Sequence, residues 1–225
     1  THKLPREQRD YPTAVKMIKP EWEKMVAADS ELKELVPDDA TLDFFVSARD
    51  LVKGYFQMEN PQGFDAQECE MYVDTVLPNG VPVRGFIDRV DVAPTGEVRV
   101  VDYKTGKKPL PRYSQDAQFQ MRFYALVYWR ILGTIPAQLR LMYLKVLDSM
   151  FLAPTREELE YFERDLAELW WKIEADGKAG TFRPQQSKLC GWCAFQSLCP
   201  VFGGTPPPYP GWPGSRADTA PEPEA

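Results

Sequence analysis

The chain has 225 residues, 44% hydrophobic and 27% charged, with 27 Lys plus Arg against 33 Asp plus Glu and a net charge of −6. These proportions suit one globular domain with an embedded helical part and exclude wholesale disorder. They also exclude recognition of nucleic acid or of an anionic membrane by global charge, so any phosphate-binding surface has to be a local patch. No run approaches the roughly 18 to 20 consecutive apolar residues that span a bilayer, and the opening residues lack a signal-peptide core. The chain therefore reads as cytoplasmic, with no membrane partner. A start at Thr1, directly on a polar loop, suggests a natural amino terminus further upstream.

Residues 12–57 read as helical, because Ala14, Val15, Met17, Ile18, Trp22 and Met25, and then Leu42, Phe45, Val46, Ala48, Leu51 and Val52, recur at spacings of three and four. Residues 1–60 are accordingly expected to form an amino-terminal helical layer. After Asn60-Pro-Gln-Gly63 the period changes to two. Residues 71–77, the turn Pro78-Asn79-Gly80, residues 81–92, the turn Ala93-Pro94-Thr95-Gly96 and residues 97–104 predict a three-stranded antiparallel meander. Residues 115–132 read as a long aromatic helix, and residues 138–147 as a fourth strand that residues 150–152 extend. Thr155 and Glu158 have the spacing of a capping box, opening a helix to about Ala175. Seven of the 21 prolines fall between Pro206 and Pro223, which marks residues 204–225 as a disordered tail. The order describes a mixed α+β domain over residues 61–203: a mixed sheet flanked by helices.

The chemistry concentrates on the central hairpin, Gly85-Phe-Ile-Asp88-Arg-Val-Asp91 followed by Val100-Val-Asp102-Tyr-Lys104-Thr-Gly106. A hairpin closing symmetrically about Thr95 sets Asp88 opposite Asp102 and Asp91 opposite Arg99. The pair Asp91 and Arg99 neutralises itself, whereas two facing carboxylates are destabilising without a cation between them. Lys104 follows Asp102 by two residues and so shares its sheet face. Two carboxylates with room left for water and phosphate oxygens suit Mg2+ or Mn2+, with Lys104 orienting a water. An Asp-x-Lys tripeptide is more often just a solvated strand face; here Asp88 and Asp102 sit in apolar, β-branched runs where an unpaired carboxylate is costly.

Cys190-x2-Cys193-x5-Cys199-Pro200 clusters three of the four cysteines. In a reducing compartment this spacing favours a metal or iron–sulfur site over disulfides, and Cys-x2-Cys also suits zinc. Lys104, Lys107, Lys108 and Arg112 form a basic run with no acid before Tyr113, a candidate DNA-backbone contact beside the metal. Tyr113, Trp192 and Phe195 are residues that could stack on bases or pack in the fold.

These motifs together, with Gln120-Met-Arg-Phe-Tyr124 on the helix after the hairpin, resemble the RecB-like exonuclease branch of the PD-(D/E)XK nuclease superfamily over roughly residues 68–203. The resemblance implies a restriction-endonuclease-like sheet, with Asp88, Asp102 and Lys104 as the metal site and Gln120 and Tyr124 contributing from the helix. It implies a [4Fe-4S] cluster on Cys190, Cys193 and Cys199, for which Cys69 is the one further cysteine in the chain. Many relatives place an active-site His on an amino-terminal helix; the single histidine, His2, lacks that context and is not assigned to the site. The implied activity is metal-dependent DNA exonuclease action in repair or processing, on single strands or duplex ends, with a helicase or other repair subunit as a conceivable partner. The alternative from another class is a non-catalytic nucleic-acid-binding or assembly module that keeps the fold.

Overall fold

A computed structural model describes residues 1–213, which form two compact units: residues 1–77 with 83–162, and residues 78–82 with the chain from Glu163 onward. In the first unit, α1 (Tyr11–Ala28) begins where the Asp10 carboxylate accepts the Thr13 N–H at 2.8 Å, with a proline in the first turn where no N–H is needed. The helical stretch expected over residues 12–57 is interrupted. Asp29 ends α1 and turns its side chain onto the N–H of Glu31, and Pro37 adopts extended backbone that no helix can pass through. Between them lies a single turn, α2 (Leu32–Leu35), and after them α3 (Thr41–Met58).

The sheet has five strands in sequential order: β1 (Glu68–Val76), β2 (Pro82–Val92), β3 (Val98–Lys104), β4 (Gln138–Tyr143) and β5 (Asp148–Leu152). β2 and β3 pair antiparallel with Asp91 opposite Arg99, the register expected from a turn centred on Thr95. β3 and β4 pair parallel, with Asp102 beside Leu141 and Lys104 beside Tyr143, because α4 (Gln115–Leu132) makes the crossover that parallel strands require. α4 stops at Gly133, whose φ of 75° suits a residue without a Cβ. β5 then returns antiparallel to β4. The expected strand 138–147 is shorter than its alternation suggests, since Val146 donates back to the Tyr143 carbonyl and Leu147 takes a left-handed φ of 54° to turn the chain into β5. The result is a mixed α+β domain built on a mixed sheet with helices on its faces.

Two helices pack on opposite faces of the sheet, and the pleat decides which residues each meets. On one face, Tyr55 of α3 packs with Val101 and Met142, joined by Phe56, Met58, Tyr103 and Leu144. α3 approaches so closely that a Cβ at Gly54 would overlap the Leu144 carbonyl oxygen. On the other face lie Val90, Val100, Leu139 and Leu141, all buried, with Met121 and Ala125 of α4. α5 (Arg156–Ala179) opens with the expected capping box: the Thr155 N–H donates to Glu158 Oε2 at 2.8 Å and the Glu158 N–H to Thr155 Oγ1 at 3.2 Å.

In the second unit the turn Pro78-Asn79-Gly80 is held by Asn79, whose side-chain amide donates to the Glu163 carbonyl at 3.0 Å while Gly80 takes a φ of 85°. Residues 204–213 have no helix or strand, yet Tyr209 packs edge-on to Phe182 and Trp212 lies against Trp170. The remainder of the expected tail, residues 214–225, lies outside the described residues. Among the described residues no helix is long and apolar enough to cross a membrane.

Candidate active site

β2 and β3 bring Asp88, Asp102 and Lys104 to one face of the sheet, and α4 sets Gln120 against them. Asp88 Oδ2 accepts the backbone N–H of Tyr103 at 2.9 Å, so the carboxylate of one strand is fastened to the main chain of the next. Asp102 is 4% exposed. Its Oδ1 accepts from Gln120 Nε2 at 3.1 Å, and the Lys104 ammonium lies 2.7 Å from Oδ2 without the alignment of a hydrogen bond. Gln120 Nε2 also reaches the Tyr124 hydroxyl at 3.1 Å, one helical turn along α4. The five residues expected in a catalytic constellation thus form a connected group, with Asp88 joined to the rest through the β2–β3 backbone.

Burial pushes the Asp102 carboxyl above the usual range; Lys104 opposes that shift and the Asp88 charge adds to it. Tyr124 is likewise raised by burial. A half-buried second carboxylate, a buried oxygen with no aligned donor and an exposed approach past Lys104 fit a hard divalent cation, which takes one or two protein carboxylates and keeps other positions for water and phosphate. Asp88 and Asp102 are the residues that would hold it. Among the described residues no group of three or more His, Cys, Asp or Glu side chains is gathered as a metal site, so the three clustered cysteines are not brought together into one.

Those cysteines occupy a run of short 3-10 turns in the second unit, Lys188–Trp192, Gln196–Leu198 and Pro200–Phe202. All four cysteines carry free thiols. Ser187 caps the first of these turns and its N–H donates to Cys190 Sγ at 3.3 Å, while Cys193 is exposed. Cys69 is on β1 in the first unit.

The basic loop is divided in its roles. Lys108 is engaged, its ammonium 2.8 Å from Asp148 Oδ2 and 3.0 Å from the Ser149 carbonyl, which ties the loop to β5. The acid that neutralises it comes from 40 residues downstream and is invisible in the local run. Arg112 lies over the Tyr113 ring at 4.8 Å from its centroid, and Tyr113 is exposed.

Behind the site, on the opposite face of the same strands, is a buried ionic network that sequence reading did not anticipate beyond the pair Asp91 and Arg99. Arg89 is fully buried and donates to Glu59 Oε1 at 2.6 Å and Oε2 at 3.0 Å, to the Tyr103 hydroxyl at 2.5 Å, and faces Asp91 Oδ1 at 3.0 Å. Arg140 adds a contact to Glu59 at 3.2 Å, and Arg99 holds Asp91 at 2.8 Å. Burial alone would raise the Glu59 carboxyl, yet the hydrogen bonds and charge of Arg89 hold it below its ordinary value. The available signal was Arg89 itself, an always-charged residue on a strand whose Ile87 and Val90 are core residues, which had to find acids once buried.

His2 belongs to this network and not to the face that carries Asp88 and Asp102. Its Nε2 lies 2.9 Å from Arg89 Nη1 and 2.7 Å from the Tyr55 hydroxyl. Since a guanidinium can only donate, Nε2 carries the lone pair and the ring is neutral. Burial first, then the Arg89 charge, depress its pKa to about 4. The unfolded chain binds a proton near pH ~6.5 and the folded chain only near 4, so the stability supplied by neutral His2 is complete above ~6.5 and is lost as pH falls through that window. Urea denaturation between pH 7 and 4 is expected to show a shallower pH slope for His2→Gln than for the parent, and equal slopes would contradict this placement.

The PD-(D/E)XK nuclease superfamily model matches residues 1–200, and the chain belongs to that superfamily. The gene 69 protein of Mycobacterium phage L5 is 30% identical over 159 residues, 67% of this chain and 52% of its own length, and the gene 69 protein of phage D29 is 31% identical over 145 residues, 63% and 50%. The chain thus spans about half the length of these curated relatives. A solved structure from Eubacterium rectale carrying an exonuclease assignment aligns with 82% of this chain and 74% of its own at 12% identity and a TM-score of 0.49.

Proposed function

We propose that this chain is a divalent-metal-dependent deoxyribonuclease that hydrolyses phosphodiester bonds as a RecB-like exonuclease in DNA repair or processing. The observation that carries the reading is the single contact group formed by Asp102, Lys104, Gln120 and Tyr124, with Asp88 fastened to the adjoining backbone. Mg2+ or Mn2+ held by Asp88 and Asp102 would supply an acidified water and neutralise charge developing on the phosphate. Gln120 fixes the rotamer of Asp102 by occupying Oδ1, leaving Oδ2 directed at Lys104. Lys104 orients the attacking water and stabilises the additional negative charge of the transition state. Tyr124 can donate a hydrogen bond to a phosphate oxygen, positioned by the same amide that holds Asp102. Lys107 and Arg112 extend the positive charge of Lys104 along the loop, where a strand backbone would lie; Lys108 anchors that loop through Asp148. A helicase or other repair subunit that delivers strand ends would be the natural partner of such a site.

The test is release of nucleotides from end-labelled single- and double-stranded DNA with Mg2+ or Mn2+. Release is expected with either metal, abolished by EDTA and restored by excess metal. A folded chain that binds DNA but releases nothing under any metal would replace this reading by the binding module.

The cysteine segment is proposed to take a [4Fe-4S] cluster on Cys190, Cys193 and Cys199, with zinc as the competing metal. Support comes from thiolate chemistry, from the free state of all four thiols and from the Ser187 N–H donated to Cys190 Sγ, an interaction of the kind that tunes cluster sulfurs. Anaerobically purified chain is expected to be brown, with absorption near ~400 nm and stoichiometric iron and sulfide. A colourless, zinc-loaded preparation would decide for zinc.

A further inference from the structure

The strand pairing decides what borders the candidate site at the carboxyl ends of β3 and β4. Beside Asp102 stands Leu141 and then Met150, so that row of the face is apolar beyond the carboxylate. Beside Lys104 stands Tyr143, and opposite Tyr143 stands Asp148. Paired residues of neighbouring strands point to the same face, so Lys104, Tyr143 and Asp148 form a polar row across β3, β4 and β5, each roughly 5 Å from the next. Tyr143 is 4% exposed, yet its hydroxyl meets no hydrogen-bond partner among the described residues and is not closed off from solvent. A tyrosine that serves only a core closes its hydroxyl onto a partner. Burial first, and then the charge of Asp102, raise the Tyr143 hydroxyl above its ordinary value, which keeps it a protonated donor within electrostatic range of that carboxylate.

Asp148 and its partner Lys108, at the far end of this row, also line a groove of about 1120 Å³ between the basic loop and β5. Asp148 is the one acid in its lining and is neutralised by Lys108, while Lys107 and Lys145 have no acidic partner among the described residues. The groove therefore keeps a positive balance in a chain whose net charge is −6. Leu110 and Val146, both exposed, add apolar surface to its walls. An anionic chain with apolar groups fits such a lining, and the free hydroxyl of Tyr143 stands between that groove and Lys104.

We propose that the Tyr143 hydroxyl donates a hydrogen bond to the phosphate next to the one under attack, and that the strand continues from there into the groove between the basic loop and β5. The inference rests on the nuclease reading for the place of the attacked phosphate, beside Lys104. It adds a phosphate-contacting residue and a direction, across β4 toward β5. A neutral hydroxyl holds a phosphate without displacing a counterion, whereas a lysine that meets a phosphate releases one. Salt dependence therefore separates the contact of Tyr143 from those of the groove lysines.

The test combines the kinetics of nucleotide release from a short oligothymidylate with fluorescence anisotropy of the same strand, labelled, on the full chain in EDTA. Tyr143→Phe keeps the ring and loses only a hydroxyl that has no protein partner, so its thermal unfolding is expected to match the parent. Its KM is expected to rise and its affinity in EDTA to fall, each roughly 10-fold, the lower end for a hydrogen bond to a charged group, with kcat close to that of the parent. The slope of log affinity against log salt is expected to stay the same in Tyr143→Phe and to become shallower by about 0.7 in Lys145→Gln. Unchanged KM and affinity in Tyr143→Phe overturn the contact, as does a parent that binds no oligothymidylate. A loss confined to kcat puts the hydroxyl on the attacked phosphate and overturns its placement on the neighbouring one. A salt slope unchanged in Lys145→Gln overturns the path through the groove. Failure of the nuclease reading looks different: Tyr143→Phe still weakens binding while no metal supports release by the parent.

Discussion

Asp102→Asn is expected to lower metal-dependent nucleotide release by at least ~10³-fold while leaving the fold as stable as the parent or more so. The loss in rate follows from the position of Asp102 as the most buried member of the site, in contact with Lys104 through one oxygen and Gln120 through the other. Removing one preorganised electrostatic contact at a reacting phosphate costs on the order of 10² to 10³ in rate, and in the proposed mechanism Asp102 would supply both a metal-holding charge and the anchor for Lys104. The effect on stability has the opposite sign. Burial raises the Asp102 carboxyl, so its charged form is disfavoured by the fold, and the stability it contributes is complete below the unfolded carboxyl range and is lost as pH rises through the raised value. At neutral pH the neutral amide avoids that loss, keeps the shape and can still meet Gln120 after an amide flip. Nucleotide release and thermal unfolding measured on the same preparations check both halves. Full activity in the variant would remove Asp102 from the site, and a large drop in melting temperature would show that it is structural.

Arg89→Ala is expected to destabilise the chain by about 3 to 5 kcal/mol, the cost of leaving a buried charge network without its central cation. Arg89 is fully buried, and its removal leaves Glu59 with only Arg140 and Asp91 with only Arg99 as cationic partners on the closed face of the sheet. It also frees Tyr103, whose hydroxyl accepts from Arg89 on one face while its backbone N–H holds Asp88 on the other. The change therefore reaches the active site through one residue, and nucleotide release at a temperature where the variant is folded is expected to fall as well. Urea unfolding provides the measurement. Arg89→Met combined with Glu59→Gln is expected to recover part of the loss, because it removes opposite charges together and Asp91 keeps its pairing with Arg99. A single variant as stable as the parent would show that the network contributes nothing net.

The grouping of the candidate site residues was legible because its parts obey local periodicities. Asp102 and Lys104 share a strand face through the period of two, Gln120 and Tyr124 share a helix face through the spacing of four, and the turn at Thr95 fixed the β2–β3 register before any tertiary contact was considered. The helix over residues 115–132 and the capping box at Thr155 were legible for the same reason.

Contacts between segments distant in sequence followed no such rule. Nothing near Lys108 indicates that Asp148 will neutralise it, since that pairing exists only because β5 folds back beside β4 and the loop crosses its end. Glu59 at the end of α3, Arg89 on β2, Arg140 on β4 and His2 meet only once the helix is laid across the sheet, and their ionisation states are set by a burial that no local pattern encodes. The contact between the Tyr72 and Phe86 rings is of the same kind: alternation places Phe86 on the face of Asp88, but only the strand order puts Tyr72 against it. Sequence by itself determined which side chains share a face within each element, because backbone geometry repeats at fixed intervals. Tertiary structure decided which faces meet and which charges are withdrawn from water, because those depend on the packing of whole elements.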